Sequence, residues 1–309
     1  MYKLVVIFIV TTCLALEVKS QVPARVRYKD PVFPSYVIQK NIRYQPQITN
    51  GRKKRYYKFD LYEPLGDTLK KRPLIIWIHG GGFKFGTKRS AGTPVWSKSF
   101  AQRGYVCAAV NYRLSKKRPL TRFKDMVSGC YDAVEDVLQA VAYFKQNRER
   151  YRIDTNRIIL AGNSAGGITA LQAVYSSFYD LAQLAGMPDT LTASHQYNPA
   201  GIKAVVSFWG AIFDTTWLQH ARVPIVTIHG DRDKIVPIEH PPIPLYGSNP
   251  IHRQADSLHI PNRLKIVEGY GHELHKHFNP FWYGHKIKNR WLESGQFVAE
   301  FLYKQVSGR

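Results

Sequence analysis

The apolar residues of this chain fall into short runs of strand length. They read PLIIWIHG (73–80), YVCAAVNYRL (105–114), RIILAG (157–162), AVVSFWG (204–210), IVTIHG (225–230) and LKIVEGYG (264–271). The runs are continuous rather than alternating, as in parallel strands covered by helices on both faces. Between them lie stretches with helical spacing. Lys124 to Asn147 carries Met126, Val134, Val137, Leu138 and Val141 along one stripe, and Trp291 to Lys304 reads as an amphipathic helix. Upstream, YVIQKNIRYQP (36–46) and RYYKFDLY (55–62) flank Asn50-Gly51, a hairpin turn signal. The pattern predicts an α/β fold: a doubly wound, mostly parallel sheet with helices on both faces and an N-terminal antiparallel hairpin. No internal repeat, low-complexity tract or linker breaks it, so a single domain is expected over residues 21–309.

Residues 1–20 have a different character. Lys3 precedes an apolar stretch that runs on to Leu16, and Val18 and Ser20 satisfy the small-residue pattern of a cleavage site. This reads as a signal peptide, with the mature chain starting at Gln21 and exported to a periplasmic or extracellular space. The stretch is too short for a stable membrane span, and lipid attachment at Cys13 fits less well because Thr12 precedes it. Two cysteines remain, Cys107 and Cys130, which can equally form a bridge or stay as buried thiols.

Charge adds one further element. The formal net charge is +22, with basic clusters at 52–55, 70–72 and 116–118. Such a surface attracts anionic polymers or surfaces, or is simply well solvated. No nucleic-acid motif accompanies it.

The chemistry centres on IILAGNSAGGITA (158–170), where a strand ends in a dense run of small residues and resumes as a helix. Gly162 and Gly166 suit a tight strand-to-helix corner that projects Ser164 upward beside a helix N-terminus, whose positive end favours developing negative charge. In doubly wound sheets ligands bind at the carboxyl ends of the strands, which is where this serine falls. Three more motifs follow strands: HGGGF (79–83), HGDRDKIVP (229–237) and GYGHE (269–273).

In that order, serine then acid then histidine, the chain resembles the α/β-hydrolase serine esterases from about Tyr56 to its C-terminus. It looks most like secreted bacterial carboxylesterases and feruloyl or acetyl-xylan esterases with an HGGG oxyanion motif. Asn163 stands where lipase-like and cholinesterase-like relatives often carry an acidic residue. The resemblance implies Ser164 as nucleophile, His272 as general base and then acid, and Asp233 as its orienting carboxylate. Asp231, on the same loop, and Asp214, after the preceding strand, are rivals for the acid. Gly81, Gly82 and Ala165 match the family's backbone donors to the oxyanion. His79 and His229 are expected to anchor backbone.

Phe83, Trp209 and Phe213 are candidate substrate-binding residues, with Phe85, Trp217 and the FNPFWYG stretch (278–284) as further candidate walls. The excursion from Ser176 to Gly201 is expected to border the cleft. His272, His275 and His277 lack the acidic or cysteine partners of a metal site, so neither metal nor cofactor is expected. The implied activity is a serine carboxylesterase acting through an acyl-enzyme on short-acyl or aromatic esters, small or polysaccharide-borne. A prolyl-oligopeptidase-type serine peptidase and a non-catalytic hydrolase-fold binding protein are the alternatives.

Overall fold

Among the described residues of the computed structural model (24–45, 56–90, 92–187, 200–277 and 284–307), eight strands join in one sheet. They are β1 (Tyr36–Arg43), β2 (Lys58–Pro64), β3 (Arg72–Ile78), β4 (Val106–Val110), β5 (Ile153–Asn163), β6 (Ile202–Phe208), β7 (Ile225–Gly230) and β8 (Asn262–Val267). The spatial order is β1-β2-β4-β3-β5-β6-β7-β8. β1 pairs antiparallel with β2, and β2 antiparallel with β4. Every later pairing is parallel. This is the α/β-hydrolase arrangement, with the expected hairpin at its start. The leader-like segment with Cys13, the Asn50-Gly51 turn, the basic cluster at 52–55, most of FNPFWYG and much of the 176–201 excursion lie outside the described residues.

The helices are α1 (Gly92–Ala101), α2 (Phe123–Gln146), α3 (Arg148–Tyr151), α4 (Ala165–Tyr175), α5 (Phe178–Ala185), α6 (Ser248–Ser257) and α7 (His285–Val306). Strand alternation divides the core between the two faces. Leu74, Ile76 and Ile78 of β3 join Val127 and Val134 of α2 and Leu171 of α4. Ile75 and Trp77 join Trp96 and Phe100 of α1 and Trp291 and Leu302 of α7. Cys107 and Cys130 are free and buried, in the second and first of these clusters respectively, so the sheet separates them. Burial pushes both thiols well up, leaving them protonated and inert.

α2 begins and ends within a residue of its expected bounds, whereas α7 starts six residues before Trp291. Its first turns, His285 to Arg290, are lysine-rich and hold no fully buried side chain. They form helix by propensity, with no apolar stripe to betray them.

Trp96 locks the second face together. Its ring stacks on Phe208 at 4.3 Å and on Trp77 at 5.5 Å, and its Nε1 donates to the carbonyl of Trp291 at 2.9 Å. Sheet, α1 and α7 therefore meet at one fully buried side chain. Trp96→Ala should cost roughly 3–5 kcal/mol, which a denaturant titration of the two proteins measures directly.

Candidate active site

The turn between β5 and α4 sets the position of Ser164. Its backbone sits at φ 52°, ψ −124°, a strained conformation for a residue with a side chain. Two hydrogen bonds pin it: Ser164 N–H donates to Phe208 at 2.9 Å, and Ile168 N–H donates to the Ser164 carbonyl at 2.9 Å. The corner closes only because α4 meets the end of β3 almost without a gap. A Cβ on Gly166 would lie 2.1 Å from the Ile78 carbonyl oxygen, and one on Gly162 would lie 2.4 Å from that of Gly166. Any larger residue would force the helix off the strand.

The loop after β3 lies against the same corner, since a Cβ on Gly80 would be 3.3 Å from that of Ser164. Gly81 turns the loop at φ 113°, and its carbonyl accepts from Lys84 N–H at 3.0 Å and Phe85 N–H at 2.9 Å. His79 secures the base of the loop. Its Nδ1–H donates to the Gly80 carbonyl at 2.7 Å, its ring stacks on Tyr112 at 4.3 Å, and the Tyr112 hydroxyl donates to the His79 carbonyl at 3.0 Å. Gly80, at the root of this loop, thus lies against Ser164, which Ala165, the first residue of α4, follows directly. The helix end adds its positive dipole.

His272 reaches Ser164 from the opposite side. Its Nε2 is 2.9 Å from Ser164 Oγ and its Nδ1 is 2.7 Å from Asp233 Oδ2. With Asp233 ionised, Nδ1–H donates to the carboxylate and Nε2 is left to accept the serine proton. The other carboxylate oxygen accepts from Ile235 N–H at 2.9 Å and Val236 N–H at 3.0 Å. His229 supports this loop from below. Its Nε2 lies 2.7 Å from the Val236 carbonyl and 3.5 Å from Asp233 Oδ2, and its Nδ1 is 2.8 Å from Ser248 Oγ. Burial alone would raise the Asp233 carboxyl, but the hydrogen bonds from His229 and His272 outweigh it and hold the group well below the usual carboxylate range.

Two loops therefore carry the acid and the base, and they are tied to each other. Asp231 Oδ1 accepts from Gly269 N–H at 2.7 Å, and Arg232 N–H donates to the Tyr270 carbonyl at 3.0 Å. α7 steadies the histidine turn: Trp291 Nε1–H donates to Glu273 and Arg290 Nε–H to Leu274, both at 3.0 Å. Asp231 is thus occupied in joining loops. Asp214 caps the turn after β6, accepting from Thr216 N–H at 2.8 Å. Neither meets the histidine through any of these contacts.

Three expected substrate contacts require correction. Phe83, Trp209 and Phe213 are no more than 1% exposed. Phe83 packs beside Gly129 of α2, Trp209 beside Trp96 and Phe208, and Phe213 edge-on to Phe123. They fill the core because chain direction at the strand ends turns them inward. Trp217 is half-buried against the same cluster as Phe213. Exposed apolar surface near the glycine loop comes instead from Phe85 and Leu120, 62% and 61% exposed. Leu120 lies over the loop so closely that a Cβ on Gly82 would be 2.3 Å from its Cδ2. It follows a lysine-rich turn with no apolar pattern, which hides it from sequence reading. His275 is buried and His277 exposed, and among the described residues no set of three or more His, Cys, Asp or Glu is gathered to hold a metal.

Comparison with known proteins agrees with this architecture. The BD-FAE family model matches residues 59–214, half of the chain. The chain is 27% identical to the probable carboxylic ester hydrolase LipM of Mycobacterium tuberculosis over 190 residues, 61% of this chain and 39% of that one. It spans well under half the length of the first curated relatives it matches. Among solved structures, esterase 2 of Thermogutta terrifontis phosphonylated by cyclosarin aligns with a TM-score of 0.57 at 22% identity, covering 91% of this chain and 97% of that one. A truncated carbohydrate esterase from gut microbiota aligns with a TM-score of 0.56 at 18% identity, covering 87% and 97%. These last two likenesses are of fold.

The depressed Asp233 carboxyl has a measurable consequence. A carboxyl whose folded value is lowered stabilises the fold above its unfolded value, about 4, and that stability drains away as pH falls toward the folded value. The stability difference between wild type and Asp233→Asn should therefore widen in favour of wild type between about pH 2 and about pH 5 and then level off. Chemical denaturation of both proteins across that range is the check.

Proposed function

The chain belongs to the BD-FAE family, and we propose that it is a serine carboxylesterase working through an acyl-enzyme. The observation that carries this reading is the single imidazole of His272, bonded to Ser164 Oγ at 2.9 Å and to Asp233 Oδ2 at 2.7 Å. As the Ser164 oxygen attacks the ester carbonyl, its proton passes to His272 Nε2. Asp233 stabilises the imidazolium and keeps its Nδ1–H in place. The tetrahedral oxygen takes its negative charge toward the N–H groups of Gly81, Gly82 and Ala165. His272 then returns the proton to the departing alcohol, and the same steps run with water in place of serine to release the acid.

Phe85 and Leu120 offer open apolar contact beside the glycine loop, which suits a short acyl or aromatic group better than a long enclosed chain. An open site also suits an ester carried on a polysaccharide, and the formal net charge of +22 favours an acidic one. The leader-like residues 1–20 support export to where such polymers lie. No helix of the described residues is long and apolar enough to cross a membrane.

Hydrolysis of p-nitrophenyl esters from acetate to long acyl chains tests the proposal. Short esters should be cleaved fastest, and Ser164→Ala should lower kcat/KM by at least about a thousandfold. Wild type that cleaves no ester in the series would remove the esterase reading. Leu120→Ala should raise KM for butyrate more than for acetate, because the lost contact lies along the acyl chain.

A further inference from the structure

Tyr270 lines two neighbouring cavities at the carboxyl ends of β7 and β8. The larger, about 500 Å³, also has Arg232, Glu268, Lys276 and His277 in its wall. The smaller, about 260 Å³, adds Lys265, Arg290 and Glu293. Four permanent cations thus face two carboxylates. None of the four forms an ion pair among the described residues. Three arginines elsewhere do meet carboxylates: Arg27 meets Asp67 at 2.5 Å, Arg72 meets Glu63 at 2.7 Å, and Arg113 meets Asp136 at 2.7 Å. Unpaired positive charge collected around cavities is a recognition surface for an anion.

The aromatic centre narrows the ligand. The Arg290 guanidinium lies 4.4 Å from the Tyr270 ring centroid and the Lys276 ammonium 6.0 Å from it, so cations and an aromatic ring are presented together. A ligand with one carboxylate and one flat apolar face matches this pairing. An arginine takes a carboxylate in two parallel hydrogen bonds, and the C–H face of a sugar ring can leave water against the tyrosine. Position narrows it further. Arg232 precedes Asp233, Tyr270 stands two residues before His272, and the Arg232 N–H to Tyr270 hydrogen bond of 3.0 Å fastens the two loops together. The wall of the larger cavity is therefore built from the same two loops that carry Asp233 and His272.

We propose that this basic cavity is a subsite for a uronic-acid residue of an ester-bearing acidic polysaccharide. Arg232 and Lys276 take the sugar carboxylate, Tyr270 takes the ring, and the chain runs on toward Ser164. The assignment rests on the ester-hydrolase reading above and adds the chemistry of the polymer to it.

The test is calorimetric titration of the whole protein at low ionic strength with trigalacturonate, with neutral xylotriose, and with inorganic phosphate, alongside p-nitrophenyl acetate hydrolysis by the same preparations. Trigalacturonate should bind, xylotriose should not, and the double variant Arg232→Gln, Lys276→Gln should bind the acidic sugar roughly tenfold more weakly. Thermal melting verifies that the variant is folded. Should it not fold, Lys276→Gln alone, an exposed side chain, should weaken binding about threefold. Equal binding of the neutral sugar, equal binding of phosphate alone, or acidic-sugar affinity unchanged in the variants overturns the subsite. Failure of the two readings is separable: acetate cleavage without selective sugar binding removes the subsite and leaves the esterase. Selective binding that depends on Arg232 and Lys276 in a protein inert toward esters removes the esterase and leaves the subsite.

Discussion

The contact between α4 and the end of β3 governs the rest of the site. With Gly166 placed so that even a methyl group would lie 2.1 Å from the Ile78 oxygen, the helix starts directly on top of the sheet. That closeness forces the β5–α4 turn through the strained Ser164 conformation and sets its hydroxyl at the carboxyl end of β5, 2.9 Å from His272 Nε2. The same contact brings the glycine loop beside the serine, because that loop grows out of the very residues α4 presses on. Serine corner and glycine loop are therefore set by one packing constraint.

The acid and base reach the serine by a different route. Asp233 is buried, and a buried carboxylate is unfavourable unless its oxygens are satisfied. Here two backbone N–H groups, His272 and His229 surround it. The price of burial is met by donors that also fix the imidazole in the tautomer a serine nucleophile requires. His272 itself rides on a tight turn in which Glu273 and Leu274 both adopt left-handed backbone angles, held from behind by α7. The final helix thus contributes to the site without touching the serine. Through Trp96 and Trp291 it is also joined to the core of the sheet.

Charge is distributed unevenly over this frame. In the body of the fold the buried guanidiniums of Arg72 and Arg113 meet carboxylates, whereas that of Arg103 is held by Ser99, Gln296 and backbone carbonyls. Around Tyr270 the four cations meet no carboxylate partner among the described residues. The excess of lysine and arginine is thus partly a local property of the loops that carry Asp233 and His272.

Much was legible in the sequence because it was local. Continuous apolar runs of strand length, most of them ending in glycine, suit strands covered on both sides, and the Asn50-Gly51 turn signal between two further runs added the hairpin. The order of glycine loop, serine corner, aspartate loop and histidine turn could be read because each motif sits directly after its own strand. What could not be read depended on distance through space. Asp231 and Asp233 share one loop, and only the pairing of that loop with the β8 turn decided that one ties the loops and the other meets the imidazole. Phe83, Trp209 and Phe213 read as pocket wall because they lie just beyond strand ends, yet the direction of each side chain is set by backbone angles and neighbours that the sequence does not encode locally. Leu120 and the gathering of cations around Tyr270 carried no signal at all, since exposure and proximity are properties of an assembled surface. Sequence determined which elements form and which residues terminate them; tertiary packing alone decided which of those residues face one another, because facing is fixed by contacts between segments far apart in the chain.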